Sequence, residues 1–119
     1  IFFKTLESLR IENKLHTINT SKITNDTPKT DILYSDDYVW IESVNVFAKI
    51  KLACQNEGIS FDLSRQELYQ KLESEKLLIT KDNRRSYEYR KGQFRQSVIC
   101  LPRNNLNRYL TYDKEDIKL

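Results

Sequence analysis

Between Ser43 and Ser74 the chain carries two amphipathic helical patterns in succession, and this pair limits the possible folds more than any other feature. The first has Val46, Phe47, Ile50, Ala53 and Cys54 at steps of three and four, with Asn45, Lys49, Lys51 and Gln55 elsewhere around the barrel. Ser43 is the expected N-cap, because a serine hydroxyl accepts from the free N–H groups of a first turn. Gly58 is the expected stop, since glycine takes the left-handed conformation of a helix C-terminus without a Cβ clash. After the connection Ile59–Leu63, Ser64-Arg65-Gln66-Glu67 matches a capping box, in which serine and glutamate satisfy each other's backbone donors. The second helix turns Leu68, Tyr69 and Leu72 inward and Arg65, Gln66, Gln70 and Lys71 outward.

Partners for those apolar stripes lie on both sides. Phe2, Phe3, Leu6 and Leu9 recur at helical spacing from Ile1 to about Asn13. Residues 15–30 are rich in Thr, Asn and Ser and read as a linker. Thr17, Ile18, Thr20 and Ile23 suit an extended segment there, and Asn25-Asp26-Thr27-Pro28 is a loop signal. Ile32–Tyr34 and Tyr38–Ile41 read as short strands around the acidic turn Ser35-Asp36-Asp37. Alternation puts Tyr38 and Trp40 on one strand face and Val39 and Ile41 on the other. Leu77–Thr80 reads as a further strand, Lys81–Gly92 as a polar segment, and Ser97–Leu101 as a last strand stopped by Pro102. The tail, with isolated Leu106, Tyr109, Leu110 and Tyr112, suits a short helix or an extended arm.

The expected organisation is a helix and polar linker over 1–31, a folded unit over 32–102 and a tail over 103–119. Helix, strand pair, helix, turn, helix, strand, basic loop, strand is the order of an α+β winged helix-turn-helix domain. Such a domain has a three-helix core, a small antiparallel sheet and a basic wing.

Composition removes most other classes. With 119 residues there is room for one domain. The longest apolar run falls far short of the roughly 20 residues of a membrane span. Two cysteines and one histidine are too few for a disulfide scaffold, a cysteine-based zinc site or a histidine cluster. No signal pattern opens the chain, so a cytoplasmic setting is expected. The absence of methionine predicts a domain cut from a longer chain. There is no G-x-x-x-x-G-K-[ST], G-x-S-x-G or H-E-x-x-H, and two glycines cannot build a phosphate-cradling loop. No catalytic residue, cofactor or metal is expected in these residues.

Charge is unevenly spread. Residues 1–80 hold 10 of the 20 basic and 12 of the 17 acidic residues, whereas 81–119 hold the other 10 basic and only 5 acidic. The cations concentrate at Lys81, Arg84, Arg85, Arg90, Lys91, Arg95 and Arg103, with Tyr87, Tyr89 and Phe94 between them. Guanidinium groups on such a hairpin suit phosphates, and its rings suit sugars or exposed bases. DNA (duplex, forked or single-stranded) is the expected partner, beside other domains of a parent protein. The alternative is a solvated edge whose arginines discourage edge-to-edge pairing.

A second candidate surface is the outward face of the Ser64–Ser74 helix, where Arg65, Gln66, Gln70 and Lys71 would meet base edges. Glu67 and Glu73 on the same helix make an ordinary solvated face the competing reading. Trp40 with Tyr38 reads as core, or else as a stacking platform or docking surface. His16 reads as a surface histidine, Cys54 and Cys100 as buried free thiols, and Asp36-Asp37 as a turn rather than a metal pair. The nucleic-acid candidates are thus Arg65, Gln66, Lys71, Lys81, Arg84, Arg85, Tyr87, Tyr89, Arg90, Lys91 and Arg95.

Tyr38-Val39-Trp40-Ile41, Leu68-x-x-x-Leu72, Leu77-Leu78-Ile79, the basic wing and Ser97-Val98-Ile99-Cys100-Leu101 together carry a family resemblance. From about Asp37 to Leu101, about half the chain, the pattern resembles the C-terminal winged-helix domain of MCM-like or primase-associated replicative helicases. The helicases in question are carried by bacterial mobile elements such as the staphylococcal cassette type. The resemblance implies a domain that contacts DNA or regulates an ATPase motor housed elsewhere, and the Lys-, Asn- and Ile-rich usage suits an AT-rich genome. Residues 58–64 make a longer connection than a tight helix-turn-helix turn, which bears on groove insertion more than on fold. Two other functions fit the same order: an autoregulatory winged helix that packs on its parent or a loader, and a sequence-specific transcription regulator.

Overall fold

The helical patterns become α1 (Phe2–Ile11), α2 (Asn45–Asn56) and α3 (Arg65–Ser74) in a computed structural model that describes residues 2–106. The strands are β1 (Thr17–Asn19), β2 (Ile32–Tyr34), β3 (Tyr38–Glu42), β4 (Ser86–Lys91) and β5 (Phe94–Pro102). A single turn, α4 (Arg103–Leu106), follows β5. The rest of the tail, with Tyr109, Leu110 and Tyr112, lies outside the described residues, as does Ile1. The five strands form one sheet in the order β1-β2-β3-β5-β4, so the fold is α+β.

Local chemistry explains the helix ends. Ser64 Oγ accepts from Glu67 N at 3.2 Å and the Glu67 carboxylate accepts from Ser64 N at 3.1 Å, the reciprocal capping box read from the sequence. Gly58 has φ +69, and beside it Gly58 N donates to Gln55 O while Ile59 N donates to Cys54 O, which closes α2 in a Schellman motif. The start of α2 differs from expectation. Ser43 is not the cap, because its hydroxyl bonds Ser97 Oγ at 2.6 Å across the sheet. The buried Glu42 carboxylate instead accepts from the N–H groups of Val44, Asn45 and Val46. A carboxylate with two oxygens satisfies three orphan donors where a single hydroxyl could satisfy fewer, and its charge complements the helix N-terminus.

Period-two alternation sorts the sheet into two faces. Ile32, Tyr34, Val39, Ile41, Ile99 and Leu101 face the helices and bury against Phe2, Leu6 and Leu9 of α1, Val46 and Ile50 of α2, and Leu68 and Leu72 of α3. Leu33 and Phe94 face the other way and pack with Ile23. Residues 20–31 cross that second face rather than hanging free. Gln96, buried in β5, donates to Thr30 O and accepts from Thr30 N, so it pairs this segment as a strand backbone would. Because the segment crosses the sheet, β1 returns parallel to β2, unlike the wholly antiparallel sheet expected.

The hairpin is also shifted along the chain. Leu77–Thr80 is not a strand: Leu77 and Leu78 are buried in the core and only Ile79 bridges to Cys100. The region read as a polar loop contains β4 itself, and β5 starts at Phe94 rather than Ser97. Ser86–Lys91 lies at the sheet edge with one pairing partner, where a strand stays polar, and so its hydropathy hid it.

Candidate nucleic-acid interface

The cationic residues are held on two turns and one ladder. Lys81 and Arg84 exchange backbone hydrogen bonds of 3.0 and 2.9 Å around Asp82 (φ +52) and Asn83 (φ +62). Two adjacent positive φ values define a type I′ turn, and Asp and Asn are the non-glycine residues that tolerate it best. At the far end, Gly92 (φ +59) joins Lys91 to Phe94 in a two-residue turn, and Asn25 Oδ1 accepts from Gln93 N at 3.0 Å. A Cβ at Gly92 would come within 2.5 Å of that Asn25 oxygen, so a side chain here would displace Asn25 as well as strain the backbone.

Strand alternation then separates what the sequence interleaves. Glu88 and Arg90 lie on the helix-side face, with Arg95 directly opposite Arg90. Tyr87 and Tyr89 lie on the second face beside Trp40. Arg90 Nε donates to Glu88 Oε1 at 2.6 Å, and Arg85 NH2 to Glu73 Oε1 at 3.1 Å. Both pairs are open to solvent, where such contacts contribute at most about 1 kcal/mol, so a phosphate can displace either carboxylate. Lys91 Nζ donates to Thr20 O, and Arg84 and Arg95 are exposed with no ion pair among the described residues.

Two grooves result. One, of about 530 Å³, runs between α3 and the hairpin base and brings Gln66, Glu73, Arg84 and Arg85 together. The other, of about 490 Å³, lies at the β4 edge and brings Lys81, Arg84 and Arg90, together with the carboxylates of Asp82 and Glu88, beside Trp40, Tyr87 and Tyr89. Arg84 lines both. Arg65 and Lys71 sit apart from these clusters. Arg65 reaches the Ser43 carbonyl at 3.4 Å, where the Tyr69 hydroxyl also donates at 2.8 Å. Lys71 lines a separate cleft between α1 and α3 with Phe2, Phe3 and Phe61.

The hydroxyls on the aromatic side of the edge groove hold their protons more tightly than free tyrosine does. Burial, reinforced by the Cys100 thiol alongside, pushes the Tyr87 hydroxyl up to about 12, and burial pushes Cys100 up to about 11. Burial likewise raises Tyr89. Trp40 is half-buried on the second face, 5.1 Å between ring centroids from Tyr89, so it is part of this wall rather than of the main core. The Tyr38/Trp40 alternation announced that face, but the contact with Tyr87 and Tyr89, 47 and more positions along the chain, had no sequence signal. Asn25, which holds the hairpin tip, was likewise legible only as a loop residue.

No protein-family model matches the chain, and no curated protein sequence matches it significantly.

Proposed function

We propose that the chain is a winged-helix DNA-binding domain of a bacterial replication protein, the C-terminal domain of a mobile-element replicative helicase by the resemblance above. In this reading β4 and β5 are the wing, DNA is the partner and the cytoplasm its compartment. Among the described residues, no helix is long and apolar enough to cross a membrane.

The observation that carries the reading is the placement of β3 next to β5, with α1 before β3 and α2–α3 between β3 and β4. A winged helix has the same strand order, and in this reading β1 and β2 are additions on the far edge and residues 20–31 an addition across the second face. The wing presents Arg84, Arg85, Arg90, Lys91 and Arg95, five cations near one hairpin, which suits backbone contact. Base reading by α3 is disfavoured, since Arg65 turns to Ser43 and Lys71 faces another cleft. The test is duplex binding at low salt by a chain with Arg84, Arg90 and Arg95 all changed to Ala. The reading requires at least a tenfold loss with folding intact, and unchanged affinity rejects it.

A docking domain is the second reading. The observation that favours it is the cleft of about 680 Å³ between α1 and α3, walled by Phe2, Phe3, Phe61 and Leu63. It requires little DNA affinity in the isolated chain.

A further inference from the structure

We infer that the groove at the β4 edge takes the unpaired bases of single-stranded DNA, stacked against the wall that Trp40, Tyr87 and Tyr89 form. The inference rests on the DNA-binding reading and names which form of DNA this groove holds. Three features of the groove lead there.

The wall is built of half-buried aromatic rings, and its indole N–H is already engaged. Trp40 Nε1 donates to the Tyr87 hydroxyl at 3.2 Å, and the Trp40 ring lies 5.1 Å from Tyr89 and 5.8 Å from Tyr38. A wall whose indole N–H is already bonded stacks on any base and reads none of them, which is the chemistry of sequence-tolerant single-strand binding. Bases inside a duplex are already stacked on one another and cannot use it.

Cations stand at the rim where a strand's phosphates would run. Lys81 Nζ lies 5.4 Å over the Tyr87 ring, and Arg84 and Arg90 share the rest of the rim with the carboxylates of Asp82 and Glu88, so cations exceed anions there by one. The type I′ turn fixes Lys81 and Arg84 side by side with Asp82 between them, so two of the three cations are pre-positioned. β4 is the outermost strand of the sheet, which leaves the groove open along one side for a chain to lie in. Arg84 also lines the groove under α3, so one guanidinium borders both surfaces.

Trp40 is the chain's single tryptophan, so its emission reports this groove alone. The experiment titrates the chain with a short oligothymidylate, with an abasic strand of equal length and with a blunt duplex. Expected is saturable quenching of Trp40 by the oligothymidylate, with at least tenfold weaker binding of the abasic strand, which carries the same phosphates without bases. Tyr89→Leu, which keeps apolar bulk under Phe94, should weaken oligothymidylate about tenfold and leave the duplex unchanged. Equal binding and equal quenching by the abasic strand overturns the groove assignment even if the duplex still depends on Arg90 and Arg95. Absence of binding by every DNA tested overturns the DNA reading itself.

Discussion

Arg90 and Arg95 face each other directly across the β4–β5 ladder, two guanidinium groups at one cross-strand position. Like charges placed so are mutually destabilising, and among the described residues only Arg90 has a carboxylate, Glu88, to offset it. The pair is thus a local cost to the stability of the hairpin. Arg95→Glu should therefore raise stability to urea by about 0.5 kcal/mol while lowering duplex affinity. A variant that is less stable than the parent contradicts the repulsion.

The Glu42 cap gives a sharper stability test. Glu42→Ala leaves the N–H groups of Val44, Asn45 and Val46 without their acceptor, the last of them buried, and should cost about 2 kcal/mol in urea unfolding. Ser43→Ala, which loses the Ser97 hydroxyl contact, should cost about 1 kcal/mol. If Ser43→Ala proves the more damaging, the cap is misassigned.

Gln96 ties residues 20–31 to the sheet. Gln96→Leu strands both the N–H and the C=O of Thr30, with an expected loss of about 1–3 kcal/mol. Amide exchange should speed up across residues 20–31 before it does in α2. Uniform loss of protection would mean that this segment and the core open as one unit.

Stability should also fall in alkali. Cys100 is raised from 9.0 to about 11 and Tyr87 from 10.0 to about 12 by burial. Raised folded-state values mean that the folded chain holds these protons longer than the unfolded chain does. Their contribution is therefore complete below pH 9 and declines between pH 9 and 12. Cys100→Ala, though less stable at neutral pH, should show a flatter decline between pH 9 and 11. A parent chain equally stable at pH 8 and pH 11 contradicts the burial argument.

The helices were legible because apolar spacing and end chemistry agree: the stripe of Val46 and Ile50, the box of Ser64 and Glu67, the stop at Gly58. Strands β2 and β3 were legible from the acidic turn between two β-branched and aromatic runs. The hairpin was not, because Leu77 and Leu78 look like a strand yet bury against helices, while Tyr87 and Tyr89 alternate with charges at a solvated edge. Glu42 was overlooked because cap preference favours serine when reach is unknown, and Ser43 had a better partner in Ser97, 54 positions away. The basic cluster was visible as composition. Which face of the hairpin Arg90, Arg95 and the tyrosines take needed the register, and Trp40 meets Tyr87 and Tyr89 only through the pairing of β3 with β5 and of β5 with β4.

The proposed function has the hairpin cations bind DNA phosphates. The most direct measurement is the salt dependence of duplex affinity, for the parent chain and for the variant with Arg84, Arg90 and Arg95 changed to Ala. Each phosphate contact contributes about −0.9 to the slope of log K against log salt, so removing three should flatten it by roughly 2–3. Identical slopes for the two proteins would place the contacts elsewhere and contradict the account.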